Sequence, residues 1–400
     1  MRVGFVVQRY GNEVCGGSEF LCRLVAERMR RHWDLEVLTS CAVDHFSWRN
    51  EYPAGLDAVN GVPVRRFPVD FTRDLESFHV LSAQVYSGTG SEAEELDWMR
   101  LQGPYSTAFN DYIRAHADDY DLLVFFTYLY AFTFYGLPVA PAKSVLVPTA
   151  HDEPPIYLGI FRRIMTAPRA LVFLTPQEQD FVNGLFGTHD VPQDVLGVGV
   201  EAPADVDPRR FLARHADRLE GADVVLYLGR IEWAKGCYPL FNNFMRFRHE
   251  APQHRAKLVL LGSSSVDIPP HPDIVHLGFV SEQEKWDALA AARVVVLSSP
   301  FESLSLAALE AWKMGTPVLA NGACEVLRGQ CIRTDGGLWY ESYPQFREAL
   351  AMLLGDAALR RRLGESGRAF VDSHYEWPAM EARYLRLMDP AGRAEGRDVA

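Results

Sequence analysis

An α/β fold built as two Rossmann-like domains follows from three observations on this 400-residue sequence. Short apolar runs such as RVGFVVQRY at the start and ARVVVLSSP (Ala292 to Pro300) have the near-continuous hydrophobicity of parallel strands covered on both faces. These runs alternate with helical patterns in two successive blocks, as strand-helix-strand units do. The length also exceeds what one core usually supplies, and the charged stretch Glu201 to Gly221, with Pro203 and Pro208, separates the blocks. The expected division is therefore residues 1–200, a linker at 201–221, and residues 222–375. Residues 376–400 would hold a C-terminal helix, with a possible return to the first domain, and a polar tail from Asp389 that is expected to be disordered.

Composition narrows the class. Apolar residues make up 48%, enough for two cores, and the formal net charge of −12 argues against a general nucleic-acid binder. Cys15, Cys22, Cys41, Cys237, Cys324 and Cys331 include no two-residue-spaced pair and no neighbouring His cluster, so they read as reduced thiols of a cytoplasmic protein. Met1 leads straight into a strand without a charged and apolar leader, which argues against secretion. The most apolar run, Leu122 to Gly136, is too short and too rich in Thr and Tyr to span a bilayer.

In the first block, the opening strand runs into a turn in which Gly16 and Gly17 precede the helical pattern Leu21, Leu24, Val25, Met29. Ser18 is the expected cap, and the glycines let a ligand approach the helix N-terminus, although such a turn serves a tight connection equally well. Arg28, Arg30 and Arg31 on this helix read better as a solvated face than as a membrane contact. Strands are expected at Leu35 to Thr39 and Val62 to Phe67, and helices at Glu92 to Met99 and Ser106 to Ala117. The aromatic run after Asp121 begins as a buried strand, and some of its rings could line a sugar site. A strand at Ser144 to Val147 ends in Pro-Thr-Ala-His-Asp, which puts His151 where a cleft would lie. Strand Ala170 to Leu174, helix Pro176 to Phe186 and strand Asp194 to Gly197 complete the block.

The second block restarts with DVVLYLGR (Asp223 to Arg230), followed by IEWAKG and a helix from Cys237. Arg230 and Lys235 flank the turn at the carboxyl end of that strand, so two cations and a helix N-terminus converge where a diphosphate would fit. Strands KLVLLG and DIVHLGF, a helix at Glu282 to Ala292 and the strand ARVVVLSSP come next. Then comes a nearly uncharged segment that Glu302 opens and in which Glu310 is embedded. A lone Glu in such a helix is more often neutralised by a nearby Lys or Arg than used in chemistry. On a helix starting at Glu302 the two carboxylates would stand roughly 12 Å apart, a spacing that suits two ends of one extended ligand rather than one metal ion. Strand TPVLA, the small-residue turn NGACEV and helices at Pro344 to Leu354, Ala357 to Ser373 and Pro378 to Met388 close the chain.

These pieces resemble the retaining nucleotide-sugar glycosyltransferases with two Rossmann-like domains whose parallel sheets face across a cleft (GT-B), and specifically glycosyltransferase family 4. The likeness rests on the paired glutamates of ESLSLAALE, on GRIEWAKG, on GTPVLA with its small turn, and on the amino-terminal GGSE. It implies an acceptor-side first domain and a donor-binding second domain. Arg230 and Lys235 would hold the donor diphosphate, Glu310 the ribose hydroxyls and Glu302 the transferred sugar. His151 would stand beside the reacting centre, Gly16 and Gly17 would face the donor, and Ser303, Leu304 and Ser305 would offer backbone amides to it. Ser303 and Ser305 depart from the family's usual glycines. The partners so implied are a nucleotide-sugar donor and a sugar-containing or lipid-linked acceptor, with no metal or other cofactor. A nucleotide-sugar epimerase and a non-catalytic sugar-nucleotide sensor are the rival readings; the first would isomerise donor without acceptor, the second would turn nothing over.

Overall fold

The computed structural model describes residues 1–14 and 16–388, so Cys15 and the tail from Asp389 lie outside the described residues. Its contacts divide the chain into two compact units, Met1–Val198 joined by the segment from Glu381, and Gly199–Met380.

The first unit is built on an eight-stranded sheet. In chain order its elements are β1 (Arg2–Val6), α1 (Gly17–Met29), β2 (Asp34–Ser40), β3 (Gly55–Val59), β4 (Val62–Phe67), α2 (Leu75–Tyr86), α3 (Glu92–Gln102) and α4 (Thr107–His116). There follow β5 (Leu122–Phe126), α5 (Ala131–Gly136), β6 (Ser144–Val147), α6 (Arg162–Thr166), β7 (Ala170–Phe173), α7 (Pro176–Phe186) and β8 (Gln193–Val195). The strand order is β3-β4-β2-β1-β5-β6-β7-β8, parallel except for the β3–β4 hairpin at one edge. Because β1 pairs with β2 on one side and β5 on the other, the chain reverses its winding there, and the carboxyl ends of strands at such a reversal are where open α/β sheets bind ligands.

The second unit carries a six-stranded sheet. Two short helices, α8 (Pro208–Arg214) and α9 (Ala216–Leu219), precede β9 (Asp223–Leu228), α10 (Cys237–Glu250), β10 (Ala256–Leu261), β11 (Ile274–Gly278), α11 (Glu282–Ala291) and β12 (Val294–Leu297). Next are α12 (Leu306–Lys313), β13 (Val318–Asn321), α13 (Glu325–Thr334), β14 (Gly337–Tyr340), α14 (Tyr343–Gly355), α15 (Ala357–His374) and α16 (Trp377–Met388). All strands are parallel in the order β11-β10-β9-β12-β13-β14, and the reversal falls between β9 and β12. From Glu381 onward α16 packs on the first unit: Glu381 accepts a 2.9 Å bond from His32, Arg383 pairs with Asp194 at 3.0 Å, and the Tyr384 hydroxyl donates to the Gly197 carbonyl.

Local chemistry accounts for the element boundaries. Ser91 and Glu94 form a capping box at α3, and Ser106, Thr175, Ser281 and Ser305 each satisfy a first-turn N–H of α4, α7, α11 and α12.

Several expectations need correction. Residues 201–221 are not a bare linker, since α8 and α9 use that charge in ion pairs: Arg210 meets Asp287 at 2.5 Å, and Arg214 and His215 both meet Glu284 at 2.7 Å. Gly16, not Ser18, caps α1; Ser18 lies inside the helix, where its hydroxyl donates to Glu19. Glu302 does not open a helix, because α12 begins only at Leu306, so the helical spacing from Glu302 to Glu310 does not apply. Beyond α8 and α9, the elements not anticipated are β3, α2, α5, α6, and the pair α13 and β14 after the NGACEV turn. The five described cysteines are free and buried. Among the described residues no helix is long and apolar enough to cross a membrane.

Candidate functional site

In the second unit, the loops after β9 and β12 meet at the winding reversal. A Cβ on Gly236, whose φ of +69° already favours glycine, would lie 2.2 Å from the Ser298 carbonyl oxygen, so only glycine lets the two loops touch. The Ser298 hydroxyl donates to the Lys235 carbonyl at 2.8 Å, and Asn321 of β13 donates to the Ser298 carbonyl at 3.2 Å. This fastening brings two of the predicted residues together: Lys235 Nζ lies 2.8 Å from Glu302 Oε1. Arg230 shares the β9 loop, where its carbonyl accepts from the Tyr227 hydroxyl at 2.7 Å and its guanidinium reaches Glu232 at 3.2 Å. Two cations and two carboxylates thus cluster at the strand ends.

Ser303, Leu304 and Ser305 form the buried turn into α12. The Ser305 hydroxyl caps Ala308, and its N–H donates to Gln330 Oε1 at 3.2 Å. Glu310 follows within α12, buried, with Oε1 2.7 Å from Lys285 Nζ of α11; Lys285 also reaches Glu282 at 2.8 Å. Burial pushes the Glu310 carboxyl above its ordinary range against the pull of Lys285. Burial lowers the Lys285 ammonium, but Glu310 and Glu282 outweigh it and hold it above its ordinary value.

The first unit holds the remaining predicted residues. A Cβ on Gly16 would lie 2.1 Å from Glu19 Oε2 and displace that carboxylate, whereas Gly17 has no atom within 4 Å of that position. Glu19 is itself buried and accepts from Arg9 Nε at 2.9 Å. His151 follows β6, with Nδ1 3.2 Å from Glu153, which also accepts from the Tyr128 hydroxyl at 3.2 Å. Beside it, fully buried Glu178 of α7 accepts from the Ala150 and Leu174 N–H groups at 2.7 Å each, tying the ends of β6 and β7. Thr127 and Thr149, at the ends of β5 and β6, carry positive φ of 64° and 48°, a conformation that costs free energy for Thr and concentrates at functional sites.

Sequence reasoning missed Glu232, Lys285, Gln330 and Glu178. Only Glu178 left a local signal, in the Thr-x-x-Glu cap pattern TPQE. The others act through partners distant along the chain.

Fold and site together define a class. The two parallel α/β sheets are those of the GT-B fold: sucrose-phosphate synthase of Thermosynechococcus elongatus superimposes with a TM-score of 0.69 at 16% identity over 96% of this chain and 98% of that one. The HepE protein of Anabaena, in complex with UDP-glucose, does so with 0.67 at 14% identity over 96% and 98%. Residues 222–356, most of the second unit, match the family model described as "Glycosyl transferases group 1". A D-inositol 3-phosphate glycosyltransferase of Kribbella flavida is 28% identical over 235 residues, 54% of this chain and 55% of that protein. The chain spans about half the length of the curated relatives it matches.

Proposed function

We propose that the protein is a glycosyltransferase that moves a sugar from a nucleoside diphosphate donor to an acceptor, a glycan, lipid-linked or small molecule, with the anomeric configuration retained. The observation that carries this reading is the pairing of Lys235 with Glu302 beside Arg230, at the carboxyl ends of adjacent strands. An ammonium has three N–H donors, so Lys235 can keep Glu302 and still serve a phosphate oxygen. Arg230 adds a planar fork suited to phosphate. As the bond to the sugar breaks, negative charge gathers on the diphosphate, and these fixed cations lower the barrier by meeting it there. Glu302 orients the sugar hydroxyls, Glu310 takes the ribose, and His151 with the Gly16–Gly17 turn serves the sugar and acceptor side. No covalent enzyme nucleophile is required. The relative's name supports glycosyl transfer, and the UDP-glucose in complex with the fold neighbour supports a nucleotide-sugar donor.

The test is a panel of uridine, guanosine and adenosine diphosphate sugars scored for diphosphate release with and without candidate acceptors, followed by anomeric assignment of the product. Acceptor-dependent release with a product of the donor's configuration is expected. Donor isomerised without acceptor would instead establish the epimerase, and binding with no turnover the sensor.

A further inference from the structure

We propose that Lys285 is a positioning residue for donor recognition, holding one oxygen of the Glu310 carboxylate so that the other is presented, ionised, to the ribose hydroxyls of the nucleotide. The inference rests on the assignment of Glu310 to ribose made above.

The geometry supports this division of the carboxylate. Lys285 Nζ engages Oε1 at 2.7 Å, and among the described residues Oε2 has no hydrogen-bond partner. Glu310 keeps 11% of its side chain exposed and Lys285 10%, so the pair is nearly dry but not sealed. An isolated carboxylate so placed would neutralise itself by taking up a proton. Its ionised form is worth keeping in this role, because a ribose hydroxyl donates more strongly to a carboxylate than to a neutral acid. The charges acting on Glu310 are Lys285 and Glu282, both of α11; α15, β12 and β13, which also pack on α12, add none among the described residues. Glu282 is largely exposed and opposes ionisation of Glu310 while helping to hold Lys285 charged. Removing Lys285 therefore takes away the one counter-charge on a carboxyl that burial already pushes upward, and moves its titration toward neutral pH.

The experiment measures binding of uridine, guanosine and adenosine diphosphates, and of their 2′-deoxy forms, to the full chain between pH 6.5 and 8.5. The ratio of ribo to deoxy affinity is the readout, since titration of the phosphates cancels in it. Wild type should prefer the ribo form by a ratio that is flat with pH. In Lys285→Met the ratio should fall by about tenfold at pH 6.5 and recover toward pH 8.5 as Glu310 ionises. Lys285→Arg should restore the flat ratio, and Glu310→Gln should abolish the preference at every pH. Thermal melting checks folding; if Lys285→Met does not fold, Lys285→Gln takes its place with the same expectation. A wild type with no ribose preference would overturn the ribose contact itself and Lys285's role with it. A ribose-selective wild type beside a Lys285 variant with an unchanged, flat ratio would overturn the role of Lys285 alone.

Discussion

At the scale of single residues, Glu178 shows how burial and hydrogen bonding pull a carboxyl in opposite directions. Burial raises it, two backbone N–H donors lower it, and the balance pushes it up from 4.5 to about 7. Because the folded value lies above the unfolded one, the folded protein holds a proton that the unfolded chain has lost across that window. Stability is therefore greatest below pH 4.5 as far as this group is concerned, and falls by about 1.4 kcal/mol per pH unit up to the folded value. Glu178→Gln places an amide NH₂ against a backbone N–H, which costs about 1–3 kcal/mol, but it abolishes this slope. Scanning calorimetry of the full chain at pH 5 and pH 7 should show the first unit's melting temperature falling more steeply in wild type than in the variant; equal slopes would refute the assignment. In the second unit, Arg230→Ala or Lys235→Ala should lower turnover by roughly 10² or more with folding preserved, since each removes a fixed donor from developing charge. Near-normal kcat and diphosphate affinity in both would show that the donor lies elsewhere.

At the scale of elements, glycines separate packing from ligand approach. α15 crosses α12 so closely that a Cβ on Gly364 would stand 1.9 Å from the Gly315 carbonyl oxygen, and one on Gly367 2.3 Å from the Trp312 ring. Gly364→Ala should destabilise by about 1–3 kcal/mol through forced separation of the helices, measured as a lower denaturation midpoint. Gly17→Ala has open space and an ordinary helical site, so it should leave stability unchanged or slightly raised. If the turn faces the donor, the same methyl group should raise the donor KM; unchanged kinetics would remove Gly17 from the site. Elements of this kind were unequally legible. The strands announced themselves because parallel strands covered on both faces are uniformly apolar, and helices with Ser or Thr caps declared their starts. α2 was hidden because exposed Leu75 and Val80 blur the stripe of Phe78, Leu81 and Val85 that packs on the core, and α13 because Gly329 and Gln330 share its buried face with Val326 and Leu327 and weaken the apolar pattern. The Glu302–Glu310 segment misled in the other direction, since its lack of charge extended the helical pattern back past the Ser305 cap to Glu302.

At the scale of the molecule, the order of βα units carried more of the site than any motif did. Winding reversals put the loops after β9 and β12 side by side, and Arg230, Lys235 and Glu302 lie on those loops. Partners that bridge separate elements, such as Lys285 with Glu310, lay beyond local pattern because nothing in EQEKWDAL sets a buried lysine apart from a solvated one. The same distribution of charge bears on whether catalysis needs a metal. A transferase that uses Mg²⁺ commonly holds it with one or two carboxylates against the diphosphate. The closely spaced acids here are engaged in other ways: Asp207 caps α8, Asp205 pairs with Arg210 at 3.7 Å, and Asp119 bonds His116 at 2.8 Å. Glu302 and Glu232 do lie at the strand ends, but each is already matched by a cation, Lys235 and Arg230. Two fixed positive charges with oriented backbone N–H groups can offset the departing diphosphate without a divalent ion. Activity should accordingly persist after dialysis into excess EDTA, with kcat within about twofold of the untreated enzyme, far less than the roughly 10² expected on losing one fixed cation. Complete loss in EDTA with recovery on Mg²⁺ or Mn²⁺ would mean that Glu302 or Glu232 leaves its cation to bind metal, and the roles of Arg230 and Lys235 would have to be reassigned.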